Sequence, residues 1–148
     1  MANHIRQQIR ERVASDLTGL TTTGSNVFQS RVYPLSAGEL PGLLIYTNSE
    51  ESEPIEQGAD RLLERTLRLS IEGYVEATAN SDDTIDTICK EVETALASDR
   101  TLNNLAKDCY LTSTDTSFEG TGDKPIGFVQ MIFNIDYFTL EQSPDTAR

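Results

Sequence analysis

Apolar side chains recur along this sequence with two spacings, one typical of helices and the other of strands. Residues 3–20 place an apolar side chain at every fourth position, which predicts an amphipathic helix. Residues 82–98 carry a second helical stripe. Ser81, Asp82 and Asp83 favour a helix start there, because they can cap backbone N–H groups and offset the helix dipole. The stripe residues are Ile5, Ile9, Val13 and Leu17 in the first helix, and Ile85, Ile88, Cys89, Val92, Ala95 and Leu96 in the second.

Alternation of apolar and polar residues predicts strands over residues 63–75 and 126–138. Arg65 interrupts the apolar face of the first of these strands, so we expect a bulge or a sheet margin at that point. Residues 42–47 form an uninterrupted apolar run, which predicts a central strand covered on both faces.

The order of the predicted elements indicates the fold class. Weaker patterns predict strands over residues 27–33 and 109–119, a hairpin turn at residues 120–125 and a further helical turn at residues 101–106. The order is then helix, three strands, helix, two strands. It predicts an α+β fold, with a mainly antiparallel sheet of about five strands and two amphipathic helices packed on one face. We expect residues 1–138 to form a single α+β domain and residues 139–148 to be a frayed polar C-terminal tail.

Residues 48–60 lack either spacing and are rich in acidic side chains, so we expect a solvated loop. Its glutamates are Glu50, Glu51, Glu53 and Glu56. The chain has 12 Lys and Arg against 24 Asp and Glu, a formal net charge of -12. This balance argues against binding to nucleic acid or to an anionic membrane, since both need clustered positive charge. Neither a secretory signal nor a membrane-spanning run is evident, so we expect a soluble protein made in a cytoplasm.

Side chains that commonly perform catalysis are sparse. His4, the single histidine, lies beside charged residues on the first predicted helical turn, so we expect a solvated side chain rather than a general base. The carboxylate pair Glu50–Glu51 falls in the predicted loop. The pair Asp82–Asp83 is explained by the helix dipole. Neither pair predicts the rigid separation that acid–base catalysis needs, and we expect no catalytic residue.

Candidate cofactor and metal motifs are incomplete. The segment GTGDKPIG has the glycines of a phosphate loop, but a strand pattern follows it where such a loop needs a helix. Asp115, Glu119 and Asp123 could hold a divalent ion only weakly, because the spacing of an EF-hand is missing. Cys89 and Cys109 have no zinc-site spacing, and we expect both to be reduced thiols. We therefore expect no cofactor and no metal.

The remaining candidate for a functional site is the outer surface of the sheet. Phe128 and Ile132 lie on the second face of the last strand, and Tyr74 can join them. Either a helix or loop of the same chain covers these residues, or another subunit does. The mixed charges of the strand over residues 63–75 are either a solvated face or contacts that set the register between subunits. The residues that we predict at an interface are Arg65, Arg68, Glu72, Tyr74, Phe128 and Ile132.

The order of the segments carries a resemblance to a known family. The chain opens with the helix IRQQIRERVASDLTGL, followed by VFQSRVYPL and LPGLLIYTNSEESE. It continues with RTLRLSIEGYVEA, the helix DDTIDTICKEVETALASD and the closing YLTSTDTSFEGTGDKPIGFVQMIFNIDY. Over residues 5–137 this order resembles the tail terminator proteins of long, non-contractile-tailed phages, the family of the lambda-type minor tail protein U and related tail-completion proteins. Segment order and patterning carry the resemblance, and the family has no catalytic residues to transfer.

The resemblance implies a hexameric ring in the virion, assembled in the host cytoplasm and seated at the head-proximal end of the tail. Such a ring ends tube polymerisation and offers an attachment surface to the head connector. The implied partners are further copies of the chain, the major tail tube protein and the head–tail connector or neck protein, while DNA passes through without specific binding. The interface residues would then meet a neighbouring subunit or the tube.

From the negative charge we hypothesise that Glu50, Glu51, Glu53 and Glu56 line the lumen or rim, where they would repel DNA phosphates. Two alternatives stay open. One is a neighbouring head–tail connector or completion protein of the neck. The other is a small ligand-binding or hydrolytic α+β domain.

Overall fold

The two helices form where the apolar stripes predict them. The computed structural model describes residues 2–29, 39–76, 80–119 and 126–148. Its first helix, α1, spans Ile5–Leu17 and buries every predicted stripe residue. The second, α2, spans Ser81–Ala97 and keeps Asp82 and Asp83 in its first turn, where they offset the helix dipole. Its N-cap residue is Asn80, which makes no side-chain capping hydrogen bond.

The strands of the described residues form one five-stranded mixed sheet. They are β1 (Val27–Phe28), β2 (Gly42–Pro54), β3 (Leu62–Glu76), β4 (Asp108–Glu119) and β5 (Ile126–Leu140). Their order across the sheet is β1-β2-β3-β5-β4. β1 pairs with β2 in parallel, and the remaining pairings are antiparallel. The prediction of an α+β fold with a mainly antiparallel sheet is confirmed.

The hydrophobic core follows the predicted strand faces. The buried stripes of both helices join one cluster with alternate residues of the strands. The strand members are Leu43, Ile45, Leu67, Leu69, Ile71, Val75, Cys109, Val129, Met131, Phe133, Ile135 and Tyr137. Leu44, between Leu43 and Ile45, points to the opposite face and is 2% exposed. The predicted coverage on both faces is therefore confirmed for residues 42–45, whereas Tyr46 and Thr47 are half-buried. Gly73 permits this packing, because a Cβ atom there would lie 2.9 Å from Cγ1 of Val129.

β2 continues well beyond its predicted end. Residues 48–54, predicted as part of an acidic loop, pair with β3 as far as Pro54 and Leu63, so the loop prediction is wrong for them. A shift of register between Thr47 and Ser49 places a bulge at Asn48, which changes the alternation of side chains. Beyond the bulge most side chains are polar and exposed, so no apolar period revealed the strand.

The segment after α2 is a turn of the opposite hand to the one predicted. Leu102, Asn103 and Asn104 have φ angles of 50°, 57° and 67°. The prediction of a further helical turn at residues 101–106 is therefore wrong. A left-handed residue with a Cβ atom costs roughly 1–2 kcal/mol. Here the turn directs Leu102 into the core, where its side chain is fully buried.

The predicted C-terminal tail is tied to the rest of the chain, and β5 extends into it. The Ile5 N–H donates a hydrogen bond to the carbonyl oxygen of Pro144 at 2.9 Å. The Arg148 N–H donates to the carbonyl oxygen of Phe138 at 3.0 Å. The expectation of a frayed tail is wrong because these bonds hold its backbone. The assignment of residues 1–138 to a single domain stays a prediction.

Two predicted elements fall wholly or partly on residues that the structure does not describe. The strand over residues 27–33 is described as far as residue 29, with β1 inside it. The hairpin turn at residues 120–125 lies outside the described residues, although β4 and β5 are antiparallel neighbours as predicted. No described helix is long and apolar enough to cross a membrane.

Candidate functional site

Glu50 lies at the centre of a charge cluster between α1 and the sheet. Its Oε2 atom accepts hydrogen bonds from Nη1 of Arg6 at 2.6 Å and Nη1 of Arg65 at 3.2 Å. Its Oε1 atom accepts a hydrogen bond from the hydroxyl group of Tyr137. Nε of Arg65 donates to Oγ1 of Thr139 at 2.9 Å. We call these residues the Glu50 cluster.

The Glu50 cluster is largely removed from water. The side chains of Glu50 and Arg65 are 8% and 11% exposed, and Tyr137 is fully buried. Burial raises the pKa of Tyr137, and the hydrogen bond to the Glu50 carboxylate raises it further. Because a buried charge is costly without its partner, this cluster helps to hold α1 against the sheet.

The strand bulge explains how the Glu50 cluster forms. Past Asn48, Glu50 lies opposite Leu67 on the core face of the sheet. Arg65 lies opposite Tyr137 on the same face. The bulge or sheet margin expected at Arg65 is wrong, because Arg65 pairs regularly with a strand on each side and β3 runs without a break. The bulge is at Asn48 of β2. An arginine within an apolar stripe was the sequence signal that a buried carboxylate had to lie nearby.

The other predicted glutamates are separated from Glu50. Glu51 and Glu53 of β2 and Glu56 of the following connection are all exposed. Glu53 lies directly opposite Glu64 of β3, which is exposed as well. Like charges opposite each other weaken a strand pair, so folding alone does not explain this arrangement. Negative charge is concentrated here at the surface.

The residues predicted at an interface do not form one exposed patch. Ile132 and Glu72 are 5% and 8% exposed within the single chain. Tyr74 and Phe128 are half-buried, and their ring centroids lie 5.2 Å apart. Arg65 belongs to the Glu50 cluster. Arg68 has an exposed side chain, and it makes no ion pair in the part of the chain that the structure describes.

Glu72 is held by hydroxyl groups on the second face of the sheet. The Tyr46 hydroxyl donates to its Oε2 atom at 2.7 Å, and the Tyr74 hydroxyl donates to Oε1 at 2.8 Å. Nε2 of Gln130 lies 3.4 Å from Oε2. Burial raises the pKa of Tyr46, and the hydrogen bond to Glu72 acts in the same direction. Both carboxylate oxygens are thereby satisfied, as a buried structural carboxylate requires.

Asp16 and Asp99 share the guanidinium group of Arg12 where α1 meets the segment after α2. Nε of Arg12 lies 2.8 Å from Oδ2 of Asp99 and 3.5 Å from Oδ1 of Asp16. Oδ2 of Asp16 is buried without a hydrogen-bond partner among the described residues. Burial and a hydrogen bond with Asp99 raise the pKa of Asp16 to about 7. The same interaction lowers the pKa of Asp99, so the two carboxyl groups beside Arg12 have pKa shifts of opposite sign.

His4 caps the N-terminus of α1. Its Nδ1 atom accepts a hydrogen bond from the Arg6 N–H at 3.0 Å. The side chain is half-buried rather than solvated, which corrects the sequence-based expectation. Burial lowers the pKa of His4, and the charge of Arg6 lowers it further.

The cysteines are buried free thiols, which confirms the prediction that they are unpaired. Burial raises the pKa of Cys89 to about 11 and that of Cys109 to about 12, and neighbouring carboxylates add to both shifts. Both thiols are therefore protonated at neutral pH and are poor nucleophiles.

The described residues offer no metal centre, since no group of three or more His, Cys, Asp and Glu side chains among them could hold an ion. Of the weak divalent set considered from the sequence, Asp115 is exposed on β4 and Asp123 lies outside the described residues. The glycines at positions 120 and 122 lie outside them too.

Comparisons with solved structures and curated proteins carry little weight for function. In all, 35 chains of solved structures match. One belongs to the "Virion of native gene transfer agent (GTA) particle", with 11% identity, 90% of each chain covered and a TM-score of 0.36. A likeness at that score supports no argument about this chain. None of the curated proteins matches.

The comparison with protein families is decisive. The family described as "Phage minor tail protein U" matches residues 4–137, from the N-cap of α1 through most of β5. Both helices and all the described strands begin within this span. The resemblance drawn from the order of segments is thereby confirmed. The chain belongs to the phage minor tail protein U family and is a structural protein of the phage tail.

Proposed function

We propose that this chain is the terminator of the tail tube. Copies of it form a hexameric ring at the head-proximal end of the tail, stop the addition of further tube subunits and present a surface to the head connector. The family match over residues 4–137 carries this proposal, because it covers both helices and the sheet rather than one short motif. The partners are then other copies of the chain, the major tail tube protein and the connector.

Ring formation and capping need complementary surfaces and no reacting group, so we propose that the chain is not an enzyme. Its buried ionisable groups support this. The Glu50 cluster, the Glu72 carboxylate and the Asp16–Asp99 pair are each bonded to neighbours of the same chain. Nδ1 of His4 accepts a hydrogen bond from the backbone of α1.

Both helices, in this proposal, cover the same face of the sheet, and the exposed residues of the other face are available for contacts. Support comes from the single cluster that unites their stripes with Leu67, Ile71 and Val129. Arg68 lies on the opposite face of β3 with an exposed side chain. We assign it to a contact with a neighbouring subunit or the tube, where an exposed charge can set register.

The exposed acidic residues Glu51, Glu53 and Glu56, joined by Glu64, face the lumen or rim in this proposal. A negative lining repels DNA phosphates, so the genome passes without sticking. Glu50 is left out of the lining because its carboxylate is buried. A reconstruction of the assembled tail that places Glu51 and Glu53 on the outer wall would refute this part.

Tube elongation in vitro tests the proposed function. Tubes grown from purified tube protein are expected to stop lengthening when the purified chain is added, as measured by tube length in negative-stain micrographs. Arg68→Glu is expected to weaken the arrest, whereas the exposed control Lys90→Glu on α2 is not. Unchanged elongation would contradict termination. If the chain instead joins heads to finished tails without affecting growth, the neck-connector alternative is correct.

A further inference from the structure

β4 forms one margin of the sheet with an accessible backbone edge. Within the described residues it pairs only with β5. Residues 112–118 are all exposed, although the opposing strand carries the buried Val129 and Met131. Seven strand residues extend over about 23 Å, which is long enough to pair with a whole strand of another chain. The unpaired N–H and C=O groups of such an edge form a template for strand addition.

Apolar side chains flank this edge. Among the described residues the exposed large hydrophobic side chains are Ile55, Tyr110 and Phe118, and the last two lie on β4. Beside the start of β4 an open groove runs against α2, and its lining includes the apolar Ala97, Leu111 and Phe133 together with the charged Glu93, Arg100 and Asp108. A strand laid along β4 would cover both aromatic rings and enter this groove.

β4 also lacks two devices that commonly protect an edge from other chains, namely lysine and proline. Its sequence, DCYLTSTDTSFE, contains neither residue. A bulge between Leu111 and Ser113 is its one irregularity. We therefore expect a strand of another chain to pair with this long and weakly protected edge.

The charged residues of the two open sheet edges indicate which kind of strand can pair with β4. β4 carries Asp108 and Asp115 and no Lys or Arg. Oδ1 of Asp108 lies 3.9 Å from Nε of Arg100, whereas Asp115 is exposed. The other open edge of the described sheet is β2 beyond Leu44, since β1 pairs only with Leu43 and Leu44. That edge bears Glu51 and Glu53, so joining the two edges of neighbouring copies would bring carboxylates together. The β2 edge of a second copy is therefore a poor partner for β4.

We propose that β4 docks an extended, Lys- or Arg-bearing segment of another virion protein, which adds as a sixth strand to the sheet. This inference rests on the proposed function, because it needs a virion partner that meets the chain in the tail. Backbone hydrogen bonds supply the affinity in strand addition, and side-chain charge supplies the selectivity.

Hydrogen exchange measured by mass spectrometry tests the proposal. The full chain is incubated with terminator-free tail tubes of the same phage, with the head connector, or alone at rising concentration. Protection of the amides of residues 112–118 on adding tubes or connector is the expected result. Asp115→Lys is expected to weaken that binding about tenfold, whereas the exposed control Asp86→Lys on α2 leaves it unchanged.

Each other result decides against the docking of another virion protein on β4. Protection that grows with the concentration of the chain alone assigns the edge to a second copy. Absent protection while the wild-type chain still stops tube growth overturns the docking and leaves the proposed function standing. If residues 112–118 are not protected and tube growth also continues, both the docking on β4 and the proposed function as terminator are wrong.

Discussion

Replacing Glu50 with alanine tests whether this carboxylate is a buried anchor or a solvated surface charge. Removal of the side chain leaves Arg65 with a largely buried guanidinium group and leaves the Tyr137 hydroxyl without its acceptor. Arg6, at 37% exposure, can be solvated instead. The matched control is Glu51→Ala, the next residue of the same strand, whose side chain is exposed.

The expected loss of stability follows from the burial of the partners. Breaking a buried ion pair by removing one partner costs about 3–5 kcal/mol. An unsatisfied buried hydroxyl alone accounts for about 1–3 kcal/mol of such a loss. An exposed substitution such as Glu51→Ala stays within about 0.5 kcal/mol. Since domains of this size are stable by about 5–15 kcal/mol, Glu50→Ala is expected to leave a folded but weakened chain.

Urea unfolding followed by circular dichroism measures the difference. With a slope of about 2 kcal/mol per molar urea, the midpoint of Glu50→Ala falls by about 2 M, and that of Glu51→Ala stays in place. Combining Glu50→Leu with Arg65→Leu is expected to recover part of the loss, because no buried charge is left unpaired. Equal midpoints for Glu50→Ala and Glu51→Ala would refute the buried cluster and return Glu50 to the solvent-facing acidic set.

Further predictions concern packing and protonation. The pKa of Asp16 is about 7 in the fold against 3.8 ordinarily, so its contribution to stability is present below about pH 4 and is lost as pH rises through 7. Asp16→Asn, which carries no charge at any pH, is expected to remove about 1–2 kcal/mol of this decline. Unfolding at pH 5 and pH 8 measures the decline, and an unchanged decline contradicts the prediction. Gly73→Ala is expected to cost about 1–3 kcal/mol by forcing Val129 aside, and a neutral effect on the urea midpoint contradicts that packing. Cys109 is expected to react with iodoacetamide on the order of 1,000-fold more slowly in the folded chain than in urea, and similar rates contradict its burial.

Much of the fold could be predicted because periodic burial leaves a direct imprint on sequence. β3 and β5 alternate over most of their length because one face of each enters the core, and α1 repeats at helical spacing for the same reason. The end of β2 could not be found in this way. Its polar side chains face water and its bulge shifts the alternation, so the strand is maintained by backbone pairing with β3, which leaves no apolar period.

Pairing between segments far apart in sequence was the other feature that the sequence could not predict. The placement of β5 between β3 and β4, and the parallel pairing of β1 with β2, depend on contacts between residues far apart in sequence. The contrast between Glu50 and Glu51 has the same origin. Both are glutamates in one acidic run, yet one meets two arginines from other elements and the other meets water.

Electron microscopy of virions that carry a gold-labelled tag on this chain measures most directly the position of the chain in the particle. Termination of the tube requires the label at a single position, the junction between head and tail, on every complete particle. Label distributed along the tube, label at the distal tip, or virions without label would each contradict the assignment of this chain as the terminator.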